Sequence, residues 1–162
     1  MAKQKAPKSA PEGKKIIALN RRARHEYHVI ETITAGMVLT GTEVKSIRAG
    51  KVTIVEAFAR IEKLEVLLYS CQISPYEQGN IHNHEPLRVR KLLLSKRDIR
   101  RLHSQIKEKG LTLIPLSLFF ERQWVKLELG LCKGKQLHDK RADIAKRDSD
   151  RQIDRAMRQS FK

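Results

Sequence analysis

The sequence predicts a mainly β protein: a small antiparallel barrel with flanking helices and a basic C-terminal tail. Three observations carry that expectation. Residues 124–131 alternate, with Val125, Leu127, Leu129 and Leu131 set between Lys126, Glu128 and Gly130, as in a half-buried strand. Five or six short runs rich in β-formers are separated by polar turns. Ahead of the tail, two segments carry helical periodicity with capping residues.

In chain order, residues 1–15 are Lys, Pro, Ala and Ser with nothing to pack, and are expected to form a disordered basic arm. Residues 16–19 are a short apolar run, followed by a basic turn from Asn20 to His25. Residues 27–34 read as a strand that Gly36 breaks or bulges before Met37–Leu39. A short helix follows over 40–50, where Thr40 and Glu43 have capping-box spacing and Gly50 is a stop. Lys45 and Arg48, three apart, share its face.

Residues 55–61 and 66–73 read as two strands around a turn at 62–65 that lacks Asn-Gly. Residues 74–86 read as a long exposed loop, and 88–94 as a further extended run. The clearest helix spans Ser95 to Gly110, with Ile99, Leu102 and Ile106 as its buried stripe and six Lys/Arg on its outer faces. Two long strands, 111–120 and 124–131, complete the body. The sum fits a partly open barrel of the oligonucleotide-binding type, since closure removes exposed edges.

At 162 residues the chain is one domain plus tails: the arm at 1–15, a barrel domain at 16–132 and a basic tail at 133–162. Its net charge of +16 is unevenly spread. Residues 1–24 carry +7, residues 25–132 carry +4, and the last thirty carry +5. Basic arms on a balanced body are the footprint of a nucleic-acid binder. The tail holds ten Lys/Arg and five Asp with too few apolar side chains to bury a face. It reads as a solvated segment or as an arm that folds as a helix against a polyanion.

Membrane association is disfavoured, because no stretch joins an apolar face to a basic one and no run is long enough to span. The two cysteines, Cys71 and Cys132, lie in apolar surroundings without metal-type spacing, as expected of buried thiols in a cytoplasmic protein. The histidines lack accompanying ligands, the acids are dispersed, and no nucleophile signature or phosphate loop is present. No enzyme activity, metal or cofactor is expected. Arg21, Arg22 and Arg24 can neutralise phosphates, and His25 and Tyr27 can stack on bases. Glu43 serves either as a helix cap or as an acceptor that meets a base edge or orients Lys45 and Arg48.

Five segments, in order, closely resemble the small protein B family, the bacterial tmRNA-binding or SsrA-binding proteins. They are residues 20–27 (NRRARHEY), 39–51 (LTGTEVKSIRAGK), 73–80 (ISPYEQGN), 91–94 (KLLL) and 130–141 (GLCKGKQLHDKR). The resemblance implies an oligonucleotide-binding-type barrel that binds the transfer-RNA-like part of tmRNA during trans-translation, the rescue of stalled ribosomes. It implies tmRNA-facing roles for Asn20, Arg22, Arg24, His25, Tyr27, Glu43, Lys45, Arg48 and Leu93. Gly134, Lys135, His138, Asp139, Lys140 and Arg141 are implied at the decoding centre of the small ribosomal subunit. Arg147, Arg151, Arg155, Met157 and Arg158 are implied in the empty mRNA channel, with the tail helical when bound.

The implied partners also include elongation factor Tu and alanyl-tRNA synthetase, both indirectly, and the implied state is a monomer. Three positions depart from the family's frequent pattern. Thr34 stands for Glu, Ser149 stands for Trp, and Gln136 stands for Lys. A ribosomal or ribosome-assembly RNA-binding protein is the rival reading.

Overall fold

A computed structural model of the chain describes residues 14–160. Its elements are β1 (Lys14–Leu19), α1 (Arg21–Glu26), β2 (Tyr27–Met37), α2 (Gly41–Arg48), β3 (Val52–Thr53), β4 (Phe58–Glu62) and β5 (Glu65–Tyr69). They continue as β6 (Gln72–Ile73), a 3-10 turn (Asn80–His82), β7 (Arg90–Leu93), α3 (Lys96–Lys109), β8 (Thr112–Glu121), β9 (Trp124–Gly134) and α4 (Leu137–Ser160). The N-terminal arm lies outside the described residues, except that Lys14 and Lys15 open β1 instead of ending the arm.

Six strands close a ring of antiparallel pairings in the order β8, β9, β2, β7, β5, β4 and back to β8. Two seams are thin. Strands β4 and β8 meet at Ala59–Leu113, and β2 and β7 meet at Gly36–Leu93 and Met37–Leu92. Strand β1 extends the outer edge of β8, while β3 and β6 form a separate two-stranded ladder. Inside the ring lie Val66, Leu68, Leu92, Leu113, Leu118, Leu127, Leu129 and Leu131, with Ile47 of α2 and Leu102 of α3 packed against them.

Strand β8 is buried on both sides. A register shift between Pro115 and Ser117 lets Leu113 and Leu118 both face the main core, although their numbers differ in parity. The intervening Ile114 and Leu116 face outward and are covered by Ala23 of α1, forming a second small core with Cys132. Both cysteines are free and buried, and burial raises each thiol to about 11.

Three local expectations are corrected. The basic turn after β1 is a helical turn, because the Asn20 side chain accepts from the Ala23 amide at 3.0 Å. Gly36 neither breaks nor ends β2, which runs through to Met37. A Cβ at Gly36 would lie 3.3 Å from Cβ of Leu93, so glycine allows the close β2–β7 approach. Residues 55 and 56 form a turn ahead of β4, and Ser70 (φ 55°) separates β5 from β6. The loop at 74–86 is exposed as expected, and it is also tied across its middle. Asn83 accepts from the Tyr76 amide and donates to the Tyr76 carbonyl, both at 2.8 Å.

The clearest predicted helix forms as expected. Ser95 caps α3 by accepting from the Asp98 amide, and Gly110 ends it in the left-handed region at φ 59°. The hairpin at 62–65 closes through Lys63 (φ 47°) and Leu64 (φ 62°), both left-handed. That is the backbone of a type I′ turn, made here without Asn-Gly.

Candidate nucleic-acid interface

The first basic element is held by a side chain that never reaches solvent. Asn20 is 3% exposed. Its amide nitrogen donates to the carbonyls of Ile54, Val55 and Pro115 while its oxygen caps α1. One residue thus fixes the end of β1, the start of α1, the turn before β4 and the middle of β8. Ala23 is the buried anchor of α1, so Arg21, Arg22 and Arg24 are turned outward. Arg22 is paired within the protein, to Glu26 at 2.7 Å and to Glu56. Arg21 and Arg24 have no carboxylate partner among the described residues. His25 and Tyr27 are half-buried, and the Tyr27 ring leans on the small core beneath α1.

The second element, α2, is clamped from below. Glu43 is 5% exposed, and its carboxylate has four donors. Oε1 accepts from Arg88 Nε at 2.8 Å and Arg90 Nε at 2.9 Å. Oε2 accepts from Arg88 Nη2 at 2.6 Å and the Thr40 amide at 2.9 Å. Burial by itself pushes this carboxyl upward, but the bonds from Arg88 and Thr40 and the charge of Arg90 outweigh it and hold Glu43 at about 2.

Arg90, fully buried, also donates to the carbonyls of Cys71, Pro86 and Arg88. The clamp therefore joins α2 to the end of the 74–86 loop at Pro86 and to the chain just ahead of β6 at Cys71. Across the cleft between them, Thr42 donates to the His82 carbonyl, and the Lys45 ammonium lies 5.3 Å from the centre of the Tyr76 ring. Arg48, one turn further on, sits 5.9 Å from the centre of the Phe120 ring.

The third element begins where β9 ends at Gly134. Lys135, almost buried, donates to the Arg24 carbonyl at 3.2 Å and pairs with Asp143, while its amide donates to the Glu26 carbonyl at 2.9 Å. Lys135 holds Asp143 below its ordinary range. His28 and Asp139 add a contact at 3.8 Å. Beyond this root α4 runs to Ser160, about 36 Å at about 1.5 Å per residue. Arg147, Arg151, Arg155 and Arg158 are exposed and, at spacings of four, four and three, form one ridge. Lys140 is half-buried, Arg141 is exposed and Met157 is 59% exposed.

The predicted residues thus fall into three groups beside the half-buried His25 and Tyr27. Arg22, Arg24, Lys45, Arg48 and Leu93 present side chains to solvent. Asn20 and Glu43 point inward and act on any ligand through the helices they hold. The residues from Gly134 onward form the root and shaft of α4. Arg88 and Arg90 were missed by sequence reasoning, although a signal existed. Two arginines two apart at a strand start share a face, and Leu92 makes that face an interior one, which calls for a buried anion.

A closed antiparallel barrel, with arginine-bearing helices fastened to its outside and a cationic helix leaving its base, defines a class: small basic β-barrel proteins shaped for polyanions. A profile of the SmpB protein family matches residues 17–159. The SsrA-binding protein of Acetivibrio thermocellus is 54% identical over 153 residues, covering 94% of this chain and 99% of that protein. That of Desulforamulus reducens is 56% identical over 158 residues, covering 97% and 98%. The chain belongs to the SmpB family. Among solved structures, a chain from one described as "tmRNA-SmpB: a journey to the center of the bacterial ribosome" superposes with a TM-score of 0.62 at 51% identity, covering 74% of this chain and 85% of that one.

Proposed function

We propose that this chain binds the transfer-RNA-like part of tmRNA with its barrel and delivers it to stalled ribosomes, where α4 occupies the empty mRNA channel. The observation that carries this reading is the division of labour in the fold. Two basic helices, α1 and α2, are locked to the barrel by Asn20 and Glu43, as a preformed RNA-binding surface requires. The third, α4, is tied to the body at its root, by Lys135 and by the His28–Asp139 contact, and carries its arginine ridge beyond it. Arg22, Arg24, His25, Tyr27, Lys45, Arg48 and Leu93 are assigned to tmRNA.

The root, Gly134 to Arg141, is assigned to the decoding centre, and the Arg147–Arg158 ridge to phosphates of the channel. Occupying that channel requires that no message fills it, which gives selectivity for stalled ribosomes. Elongation factor Tu and alanyl-tRNA synthetase act indirectly, through tmRNA itself. The test is a pull-down from bacterial lysate followed by sequencing of the retained RNA. Enrichment of tmRNA over ribosomal RNA is expected. Retention of ribosomal RNA without tmRNA would replace this reading with that of a ribosomal assembly protein.

A further inference from the structure

A groove of about 660 Å³ lies between the start of β1, the end of α2 and the turn joining β8 to β9. Its size is in the range of ligand clefts, about 300–1,000 Å³. Three cations surround it: Lys15 from β1, Arg48 from the last turn of α2 and Arg122 from the hairpin turn. No acidic residue lines it, and none of the three has a carboxylate partner among the described residues. The adjoining carboxylate, Glu121, pairs with Lys126 and interacts with Lys14 and Arg122 through charge alone. Elsewhere on the surface Arg22, Lys51, Lys91 and Arg101 each have an acidic partner, whereas Arg21 and Arg24, like the three cations of the groove, have none among the described residues. Three like charges gathered on a groove with no acid in its lining repel one another, only partly offset at Arg122 by the charge of neighbouring Glu121, and a polyanion relieves that repulsion.

The floor of the groove is built for contact with more than ions. Phe120 and Ile17 lie at its base, and the Arg48 guanidinium is carried over the Phe120 ring, which fixes its direction. Arg122 is held at φ 56°, which fixes its position in the turn. The groove is continuous with the outer face of α2, because Lys45 and Arg48 lie on one side of that helix.

We propose that this groove takes the sugar-phosphate backbone of tmRNA, with Lys15 and Arg122 as phosphate contacts beside Arg48. The inference rests on the reading of α2 as a tmRNA-facing helix. It extends that surface across the barrel end to β1 and to the β8–β9 turn.

The test uses the full chain with Lys15→Gln and Arg122→Gln combined, which removes charge from two exposed side chains and keeps their stems. Binding to transcribed tmRNA is measured over a salt series. Two lost contacts flatten the dependence of log K on log salt by about 1.4 for single-stranded or about 1.8 for duplex phosphates. Affinity is expected to fall about tenfold at about 0.15 M salt, equivalent to about 1.4 kcal/mol. The charge-keeping pair Lys15→Arg and Arg122→Lys is expected to retain the wild-type slope. An unchanged slope and affinity in the Gln variant, with an unchanged thermal midpoint, overturns the proposal. So does unchanged tmRNA binding with weakened binding to the small ribosomal subunit, which transfers the groove to ribosomal RNA. Failure of the wild-type chain to prefer tmRNA over bulk transfer RNA overturns the proposed function instead. The groove is then still read from the slope difference on transfer RNA, and no difference there overturns it as well.

Discussion

Glu43 and Arg90, 47 residues apart, meet at 2.9 Å inside the protein, and that contact is the buried part of the join between α2 and the 74–86 loop. Replacing Glu43 by Gln leaves the Arg90 guanidinium buried without its counter-charge. A loss of about 3–5 kcal/mol is expected, read as a lowered urea midpoint. Amide exchange in the 74–86 loop should accelerate in the same variant, since Arg90 also holds the Cys71, Pro86 and Arg88 carbonyls.

The same pair sets a pH dependence. Glu43 is held at about 2, below its ordinary value of 4.5, so its contribution to stability is fully present above about 5. That contribution is lost as pH falls from about 5 toward 2. Urea midpoints at pH 7 and pH 3 should therefore differ more for the wild type than for Glu43→Gln. Equal differences in the two proteins would rule out Glu43 as a source of acid sensitivity.

The Lys63–Leu64 turn offers a stabilising change. Both residues are held at positive φ, where an L side chain costs roughly 1–2 kcal/mol. Lys63→Asn with Leu64→Gly suits the type I′ turn and should raise stability by about 1–2 kcal/mol, seen as a higher thermal midpoint with tmRNA binding intact.

At the base of the tail, Lys135→Met removes the bond to Arg24 and the pair with Asp143. Exchange in the first turns of α4 should quicken while β8 stays protected. Tagging of stalled peptides should fall several-fold, with tmRNA affinity within a few fold of wild type. A parallel loss of tmRNA affinity would show that the root also shapes the RNA-binding surface.

Further along, Arg147, Arg151, Arg155 and Arg158 changed together to Glu should abolish tagging and leave tmRNA binding within a few fold. Without RNA, the exposed shaft of α4 should show little amide protection, because no core lies beneath Ile144 or Ile153. Tagging that survives the charge reversal would take the ridge out of the mechanism.

The sequence was most informative where one physical pattern dominates. The alternation from Val125 to Leu131 and the caps of α3 at Ser95 and Gly110 were legible because burial periodicity and capping are local. It was least informative where distant segments meet. Asn20 reads as one more polar residue in a basic motif, and its three carbonyl partners lie 34, 35 and 95 residues away. Glu43 was legible as a cap, through the Thr40 amide, but its two arginines come from the start of β7 and the residues just before it, more than forty residues on. The α1 turn was hidden for a different reason. Six residues are too few for periodicity to rise above a run of arginines, and only the asparagine ahead of them marked a helix start.

The two thin seams of the barrel divide it into leaves: β8, β9 and β2 on one side, β4, β5 and β7 on the other. Few rungs join the leaves, so side-chain packing and α2, rather than backbone ladders, act as the clasp. Helix α1 rides on the first leaf through Ala23, while α2 is tethered to the second through Arg90. Shear between the leaves is opposed by Asn20, which ties the start of α1 to the Ile54 and Val55 carbonyls ahead of β4, so a single buried side chain keeps the two arginine-bearing helices at a fixed spacing.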